Sequence, residues 1–453
     1  RANARYKLPT EVTLYIKTGA RWREEFVGDK NKSRRYLFTG ANSGQLPTDP
    51  TIETFIEHKT GLMIPRWNSN AIARNRLPLD SSLWREDQYF AEMRKYVGTR
   101  SATETVSAGY IMAQGKIGAT GFLGGVRTEK TEDESWGFVR ARAGSTPAQQ
   151  AADPVGAAAR DYATTRREIS GRYTKSFPSA HLTHDLTRNL KARLSWSTSF
   201  GRPPLNNLYP TETANDTQRT LTVSNPSLRP QTAENWDASL EYYFEPVGTL
   251  SAGWFHKTID DYFVTGVQAG IVGSGADNGY NGEYSGYTLL TRGNLGTAVV
   301  QGWEFNYQQQ FTFLPGLLKG LGLSVNYTVL DTHGNFGANV TRGTGQVAGF
   351  IPRTANVSLS WRYRGFGARI VANKTSDYVR QFSAASLGAN LYARARTVVN
   401  AGVAYQLRPS LGVSLDVANV FNEPQIWYRG HPDQMANFIV PGPTVTFGVN
   451  GRF

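Results

Sequence analysis

The sequence contains no cysteine among its 453 residues. This absence excludes a disulfide framework and every metal site built on thiolate ligands. A membrane-spanning helix needs an apolar run of about 18 residues, and no apolar run in the sequence approaches that length. This excludes α-helical membrane spanning. Mean hydropathy is −0.42, a value that averages apolar and polar residues and so conceals any strict alternation between them.

Histidine is scarce, and the groups that would support catalysis are scattered. His181 and His184 are three apart on a stretch predicted as strand, where they face opposite sides. The adjacent acids Asp260 and Asp261, like the acidic run 132–134, fit solvated loop positions better than an acid–base pair. The sequence has no G-x-S-x-G motif and no phosphate-binding loop. We therefore expect no catalytic residue, no metal and no cofactor, and we do not expect an enzyme.

Positive charge is in excess, but it is not gathered in one place. The sequence has 49 Lys and Arg against 36 Asp and Glu, a formal net charge of +13. These charges recur along strands and in long connections, whereas a nucleic-acid-binding protein concentrates them in a patch or tail. We expect no nucleic-acid partner.

Strict two-residue alternation is the dominant pattern that is present. In LKARLSWSTSF, Leu190, Leu194, Trp196 and Phe200 share one face, and the other face is cationic and hydroxylic. The same alternation recurs in VTLYIKTGARW, GWEFNYQQQF, LGLSVNYTV and TANVSLSWRY. Charged residues keep to the polar face, among them Lys17, Arg21, Lys191, Arg193, Arg362 and Arg369. The pattern predicts about fifteen strands of about 8 to 15 residues and an all-β fold.

Short turns alternate with long polar connections. The long connections are predicted near 28–98, 131–169, 203–230, 268–297, 333–350, 383–394 and 422–441. Tight turns at one end and long extracellular loops at the other are typical of a transmembrane antiparallel β-barrel in an outer membrane. An odd strand number, when such barrels usually have an even one, predicts a partial barrel. Residues 1–453 are therefore interpreted as the C-terminal portion of a larger barrel.

Several motifs in order resemble the TonB-dependent outer-membrane receptors. They are GGVRTEKTED, SWSTSFGRPPLNNLYP, NPSLRPQTAENWDASLEYYF, VSLDVANVFNEP and the terminal PGPTVTFGVNGRF. The resemblance implies a barrel of about 22 strands closed by a plug domain, of which about 15 are in this chain and the plug is not. It also implies an outer-membrane location in a Gram-negative bacterium and contact with lipid and lipopolysaccharide. The TonB system would act through the plug region, and the final aromatic residue, Phe453, would be the signal read by the barrel-assembly machinery.

Ligand contacts are expected in the long connections, where Arg and aromatic side chains suit anionic or hydroxyl-rich ligands. The candidates are Arg66, Trp67, Trp84, Arg202, Tyr209, Trp427, Tyr428, Arg429 and His431. The alternative is that these side chains pack against one another in small loop cores.

The expected function is TonB-energised uptake of a scarce, bulky solute, such as a siderophore, cobalamin or an oligosaccharide. Two alternatives stay open on the sequence alone. One is an outer-membrane binding or adhesion barrel without energised transport. The other is a soluble β-rich protein that binds carbohydrate, which would fold without detergent.

Overall fold

The structure is a computed structural model that describes residues 1–39, 84–142, 144–216, 218–225, 227–294, 296–335, 345–383 and 386–451, and the backbone of 52–56 and 63–67. In chain order the strands are β1 (Ala2–Lys7), β2 (Thr13–Lys30), β3 (Tyr36–Phe38), β4 (Ile52–Ile56), β5 (Met63–Trp67), β6 (Trp84–Glu86), β7 (Thr99–Ile117), β8 (Thr120–Phe138), β9 (Arg166–Asp185), β10 (Leu190–Gly201), β11 (Glu212–Asn215), β12 (Thr220–Val223), β13 (Gln231–Phe244), β14 (Gly248–Asp260), β15 (Phe263–Ile271), β16 (Thr288–Asn294), β17 (Thr297–Gln310), β18 (Leu321–Asn335), β19 (Arg353–Tyr363), β20 (Phe366–Thr375), β21 (Tyr378–Gln381), β22 (Leu391–Ala393), β23 (Arg396–Arg408), β24 (Leu411–Ala418), β25 (Gln425–Arg429), β26 (Met435–Ile439) and β27 (Thr444–Gly451). The α-helices are α1 (Gln88–Val97), α2 (Pro147–Ala152) and α3 (Pro154–Tyr162), and 3-10 turns occupy Leu205–Asn207, Gly316–Gly320 and Leu387–Ala389.

Fifteen strands form one antiparallel sheet in which each strand pairs with the next long strand along the chain. The order is β1-β2-β7-β8-β9-β10-β13-β14-β17-β18-β19-β20-β23-β24-β27. Such a meander needs only a turn or a loop between neighbours, which is what the alternating short and long connections provide. The prediction of an all-β fold with about fifteen strands is confirmed.

Four strands are longer than the sequence analysis predicted. Strands β2, β7, β8 and β9 have 18 to 20 residues. The predicted limit of about 15 residues is wrong because backbone pairing continues past the residues that would face lipid. At about 3.3 Å per residue, 18 to 20 residues exceed the 9 to 11 that a tilted spanning strand requires. Residues 132–134, expected in a solvated loop, therefore lie within β8.

The two faces of the sheet differ as the alternation predicts. Large apolar side chains are exposed on one face, for example Trp22 (62%), Leu240 (50%) and Trp303 (50%). The opposite face carries ion pairs between strands. Arg193 Nε lies 2.6 Å from Glu241 Oε1 on the adjacent strand, and Arg369 Nη2 of β20 reaches across β23 to Asp416 Oδ1 of β24 at 2.9 Å. An apolar outer surface of this extent is the surface that a membrane covers.

The long connections contain secondary structure that the sequence analysis did not predict. Helix α1 lies in the first connection, and α2 and α3 lie in the second. The third and fourth connections together form a four-stranded sheet, β11-β12-β16-β15, and the sixth and seventh form another, β21-β22-β25-β26. A small apolar core of Ile259, Ala298, Val300 and Val347 lies where the fourth and fifth connections meet the main sheet. Among the described helices, none is long and apolar enough to cross a membrane.

The connections also begin and end at other residues than predicted. In the structure they occupy 31–98, 139–165, 202–230, 261–296, 336–352, 376–395 and 419–443. The largest change is at the second connection, which begins at 139 rather than 131 because Thr131 to Phe138 continue the ladder with β7 and β9.

Candidate functional site

The third connection folds back against the polar face of the sheet instead of extending away from it. It begins after β10 with Arg202, whose Nε lies 3.2 Å from Thr131 Oγ1 and 3.3 Å from Glu104 Oε2. Its Nη2 donates to Glu129, which also accepts from Arg127 Nε at 2.6 Å. Arg202 is therefore held by carboxylates on β7 and β8.

The same segment is buried further along at Tyr209, which is 1% exposed. The Tyr209 hydroxyl donates to the Val27 carbonyl at 3.4 Å, and the Arg100 guanidinium lies 4.8 Å from the ring centroid. Ser135 Oγ donates to the Leu208 carbonyl at 2.9 Å. Residues 202–210, which we call the inward segment, are thus attached at both ends to the wall formed by β2, β7 and β8.

A buried carboxylate joins the first, second and fourth connections. Asp161 of α3 accepts from the Tyr89 hydroxyl at 2.5 Å, from Ser145 N at 2.6 Å and from Ser145 Oγ at 2.9 Å. Arg140 Nε lies 3.2 Å from Asp161, and Arg140 Nη1 lies 3.0 Å from Glu283 of the fourth connection. We call Tyr89, Arg140, Ser145, Asp161 and Glu283 the loop hub.

The protonation states of the loop hub follow from its hydrogen bonds. Burial opposes ionisation of Asp161, but the hydrogen bonds from Tyr89 and Ser145 outweigh it and lower the pKa of this carboxyl below its ordinary value. Burial, with the hydrogen bond to Asp161, raises the pKa of the Tyr89 phenol. Asp161 is therefore the charged acceptor and Tyr89 the neutral donor at neutral pH. Beside the hub, Arg142 forms a bidentate pair with Glu212, at 2.7 and 2.6 Å, which ties in the third connection.

Three of the sequence-predicted residues lie where the seventh connection pairs with the sixth. Trp427, Tyr428 and Arg429 follow one another on β25, which pairs with β22. Tyr428 is buried and stacks on Tyr392 with ring centroids 5.2 Å apart, and burial raises the pKa of its phenol. Arg429 Nη1 donates to the Ala389 carbonyl at 3.3 Å.

Arg380, which the sequence analysis did not select, belongs to the same cluster. Its guanidinium carbon lies 3.5 Å from the centroid of the Trp427 ring. The buried Nη1 of Arg380 and Nε1 of Trp427 have no hydrogen-bond partner among the described residues. Buried donors normally have acceptors, so the pair has unused capacity for an oxygen-bearing group. We call Arg380, Tyr392, Trp427 and Tyr428 the mouth cluster.

A close backbone approach fixes the turn that follows the mouth cluster. Gly430 has a φ of +62°, and a Cβ there would lie 2.8 Å from backbone atoms of Gly388. Any larger residue would push the sixth and seventh connections apart. The neighbouring His431 is exposed, with its Nδ1 3.4 Å from Asp433 Oδ2.

The remaining sequence-predicted residues lie elsewhere. Arg66 and Trp67 are at the end of β5, and their side chains lie outside the described part of the structure, as does Phe453. Trp84 begins β6 and is in register with Phe38 of β3. The described residues contain no group of three or more His, Asp or Glu side chains that could hold a metal ion.

The chain is similar to known proteins of one family. Residues 1–422 match the family described as "TonB dependent receptor-like, beta-barrel". No curated protein matches the sequence.

Among solved structures, the ferric-catecholate import receptor Fiu from E. coli K12 has a TM-score of 0.63 at 14% identity, covering 100% of this chain and 54% of that one. A variant of the ferric enterobactin receptor PfeA from Pseudomonas aeruginosa, in complex with enterobactin, has a TM-score of 0.58 at 15% identity, with 99% and 53% covered. The ferric citrate transporter FecA has a TM-score of 0.55 at 13% identity, with 99% and 53% covered. The chain thus spans about half the length of the structures it matches, and at these identities the likeness establishes the fold.

Proposed function

Since the chain belongs to the TonB-dependent receptor-like β-barrel family, we propose that it forms the wall and mouth of a receptor that imports a bulky solute across the outer membrane of a Gram-negative bacterium. The family and the similar structures are receptors and transporters. The apolar outer face supports placement in a membrane, and the polar inner face supports a hydrated path. In this proposal the long connections are extracellular, and TonB supplies the energy through the plug region of the full-length receptor.

The observation that carries the ligand proposal is the pair of unused donors in the mouth cluster. Trp427 Nε1 and Arg380 Nη1 are buried without acceptors among the described residues, and the Arg380 guanidinium carbon lies 3.5 Å from the centroid of the Trp427 ring. A guanidinium stacked on an indole favours an anionic, oxygen-rich group that accepts from both. Iron complexes of catecholates and carboxylates have this chemistry, and the similar structures include a ferric-catecholate receptor and a ferric citrate transporter. We therefore propose a ferric siderophore or ferric citrate as the ligand class.

The inward segment and the loop hub have another role in this proposal. Arg202, through Nε and Nη2, and the Tyr209 hydroxyl are bonded to the wall, and in this proposal the two side chains shape the mouth. Trp84, Arg429 and His431, with Arg66 and Trp67, stay proposed ligand contacts of the mouth.

The test uses the full-length receptor with ferric enterobactin and ferric citrate as probes. Trp427→Phe keeps an aromatic ring but removes the Nε1 donor, and Arg380→Gln removes the charge. Loss of a hydrogen bond to a charged group costs about 1.5–3 kcal/mol, so each change should weaken binding of the recognised probe about tenfold or more. Trp303→Phe on the apolar outer face is the matched control and should leave binding unchanged.

Four outcomes would contradict the proposal or a part of it. If neither probe binds, or if Trp427→Phe binds as well as the unaltered receptor, the mouth cluster is not the ligand site. If binding is normal but the receptor supports no TonB-dependent uptake of iron-55, the binding or adhesion barrel without energised transport is the better description. A soluble carbohydrate-binding protein would instead fold and stay in solution without detergent.

A further inference from the structure

The connection between β17 and β18 differs from the other tight connections. Residues 311–320 form a ten-residue turn, whereas the six other tight connections have between two and five residues. Its sequence, FTFLPGLLKG, is largely apolar. A turn that only reverses the chain needs neither this length nor this composition.

The apolar side chains of this turn are exposed rather than packed. Phe313 is 61% exposed, Leu317 53% and Leu318 51%. Lys319 beside them is also exposed. Three large apolar side chains on one short turn, with a cation next to them, are costly to leave in water.

The turn leans towards the apolar outer face of the sheet. Trp361 Nε1 donates to the Leu317 carbonyl at 2.9 Å. Trp361 lies on the outer face with Leu359, and it is in register with Leu321, the first residue after the turn. The exposed surface of the turn is therefore continuous with the surface that faces lipid.

Backbone contacts hold the turn in this position. Phe311 N donates to the Leu321 carbonyl at 2.9 Å, and Leu318 N donates to the Pro315 carbonyl at 3.1 Å. Gly320 lies so close to β19 that a Cβ there would be 1.9 Å from the Arg362 carbonyl oxygen. A turn that is already ordered loses little conformational entropy when it enters an interface.

We propose that residues 311–320 form a membrane-surface anchor that inserts Phe313, Leu317 and Leu318 into the phospholipid leaflet on the tight-turn side of the barrel. In outer-membrane barrels this side is periplasmic. The apolar side chains enter the boundary between head groups and acyl chains, and Lys319 extends to the lipid phosphates. The inference rests on the proposed membrane placement, but it does not depend on the ligand or on TonB.

The test labels single cysteines with a nitroxide in the full-length receptor in phospholipid vesicles. The sequence has no native cysteine, so no thiol of this chain competes for the label. Leu318→Cys reports on the anchor, Ser410→Cys reports on the polar turn between β23 and β24, and Leu240→Cys reports on the lipid-facing wall. Collision rates with oxygen, which partitions into lipid, are compared with those of a water-soluble nickel chelate.

We expect the label at Leu318 to collide severalfold more with oxygen than with the chelate, as at Leu240, and the label at Ser410 to show the reverse. If Leu318 is as accessible to the chelate as Ser410 while Leu240 is not, residues 311–320 lie in water. The anchor is then overturned, and the proposed membrane placement stands. If Leu240 is also in water, the membrane placement fails and the proposed function fails with it. If Leu318 is shielded from both reagents, a protein partner or a second copy covers the turn, and the lipid assignment is overturned.

Discussion

Single residues in the connections hold the mouth together through buried charge. Asp161 is fully buried and accepts from four donors on three residues, so its carboxylate orders segments that are far apart in sequence. The depressed pKa of Asp161 means that its contribution to stability is present above its unfolded pKa of about 4 and is lost as the pH falls through the lower folded value. The raised pKa of Tyr89 means that its contribution is present below about pH 10 and is lost at higher pH.

We therefore expect the amide of Ser145 to be protected from hydrogen exchange to a constant degree between about pH 5 and 9, after correction for intrinsic rates. Asp161→Asn should speed its exchange roughly 30-fold, since a lost charged hydrogen bond costs about 2 kcal/mol. The loss of protection below pH 4 should also disappear in this variant. Asp433→Asn, at an exposed site, is the control. Equal exchange in the two variants would show that the hub does not order this connection.

At the scale of elements, the long strands β7 and β8 provide a polar wall beyond the lipid-facing part of the sheet, and the inward segment lies against it. Glu104 and Glu129 on that wall are almost buried and both bind Arg202. The alternation in the sequence placed Phe200 on the apolar face, but its ring stacks on Phe177 at 4.5 Å, with the Arg202 guanidinium 4.4 Å away. Pairing of β9 with β10 ends at Ser197, whereas β10 stays paired with β13 as far as Gly201.

Arg202→Gln should release the inward segment. Glu104 keeps Arg23 and Glu129 keeps Arg127 as partners. The cost is therefore that of lost charged hydrogen bonds, about 1.5–3 kcal/mol. We expect amides 205–209 to exchange about ten- to a hundredfold faster and the segment to become cleavable by a protease, both measured by mass spectrometry. Arg219→Gln, on the same connection but outside the wall, should leave this segment protected. An unchanged exchange rate in Arg202→Gln would mean that Tyr209 alone suffices to hold the segment.

The strands of the main sheet could be predicted from the sequence, because each has a lipid-type face and a polar face and therefore shows strict alternation. The small sheets of the connections could not. Strands such as β11 and β22 have four and three residues, too few to show a period. Each small sheet also depends on pairing between different connections, as between β12 and β16 or between β22 and β25. Trp427 was identifiable as an aromatic residue beside an arginine, but nothing in the sequence places Arg380 over it.

At the scale of the whole molecule, the apolar face makes the fold dependent on its solvent. Leu240 and Ser251 lie at the same level of the sheet on opposite faces, since Leu240 is in register with Ala252 and Ser251 with Glu241. Introducing an arginine at each position in turn therefore compares the cost of a cation on the lipid face with its cost on the lumen face at the same depth.

Leu240→Arg should lower the free energy of unfolding of the full-length receptor in vesicles by about 2–4 kcal/mol, the cost of a cation near the bilayer midplane. Ser251→Arg should change it by less than about 1 kcal/mol, because the new cation faces Glu241 and water. Equilibrium unfolding in urea measures both. Equal losses in the two variants would contradict the assignment of the faces.

The pairing of connections into two small sheets has a consequence for how the mouth opens and how it can be altered. The third and fourth connections share one ladder, and the sixth and seventh share another. Each pair of connections therefore moves as one unit. One connection of a pair can be displaced alone only if the backbone hydrogen bonds between the two are broken. Connections exchanged between related receptors should accordingly be exchanged in these pairs. A connection grafted alone would have to pair with a strand whose sequence fits a different partner.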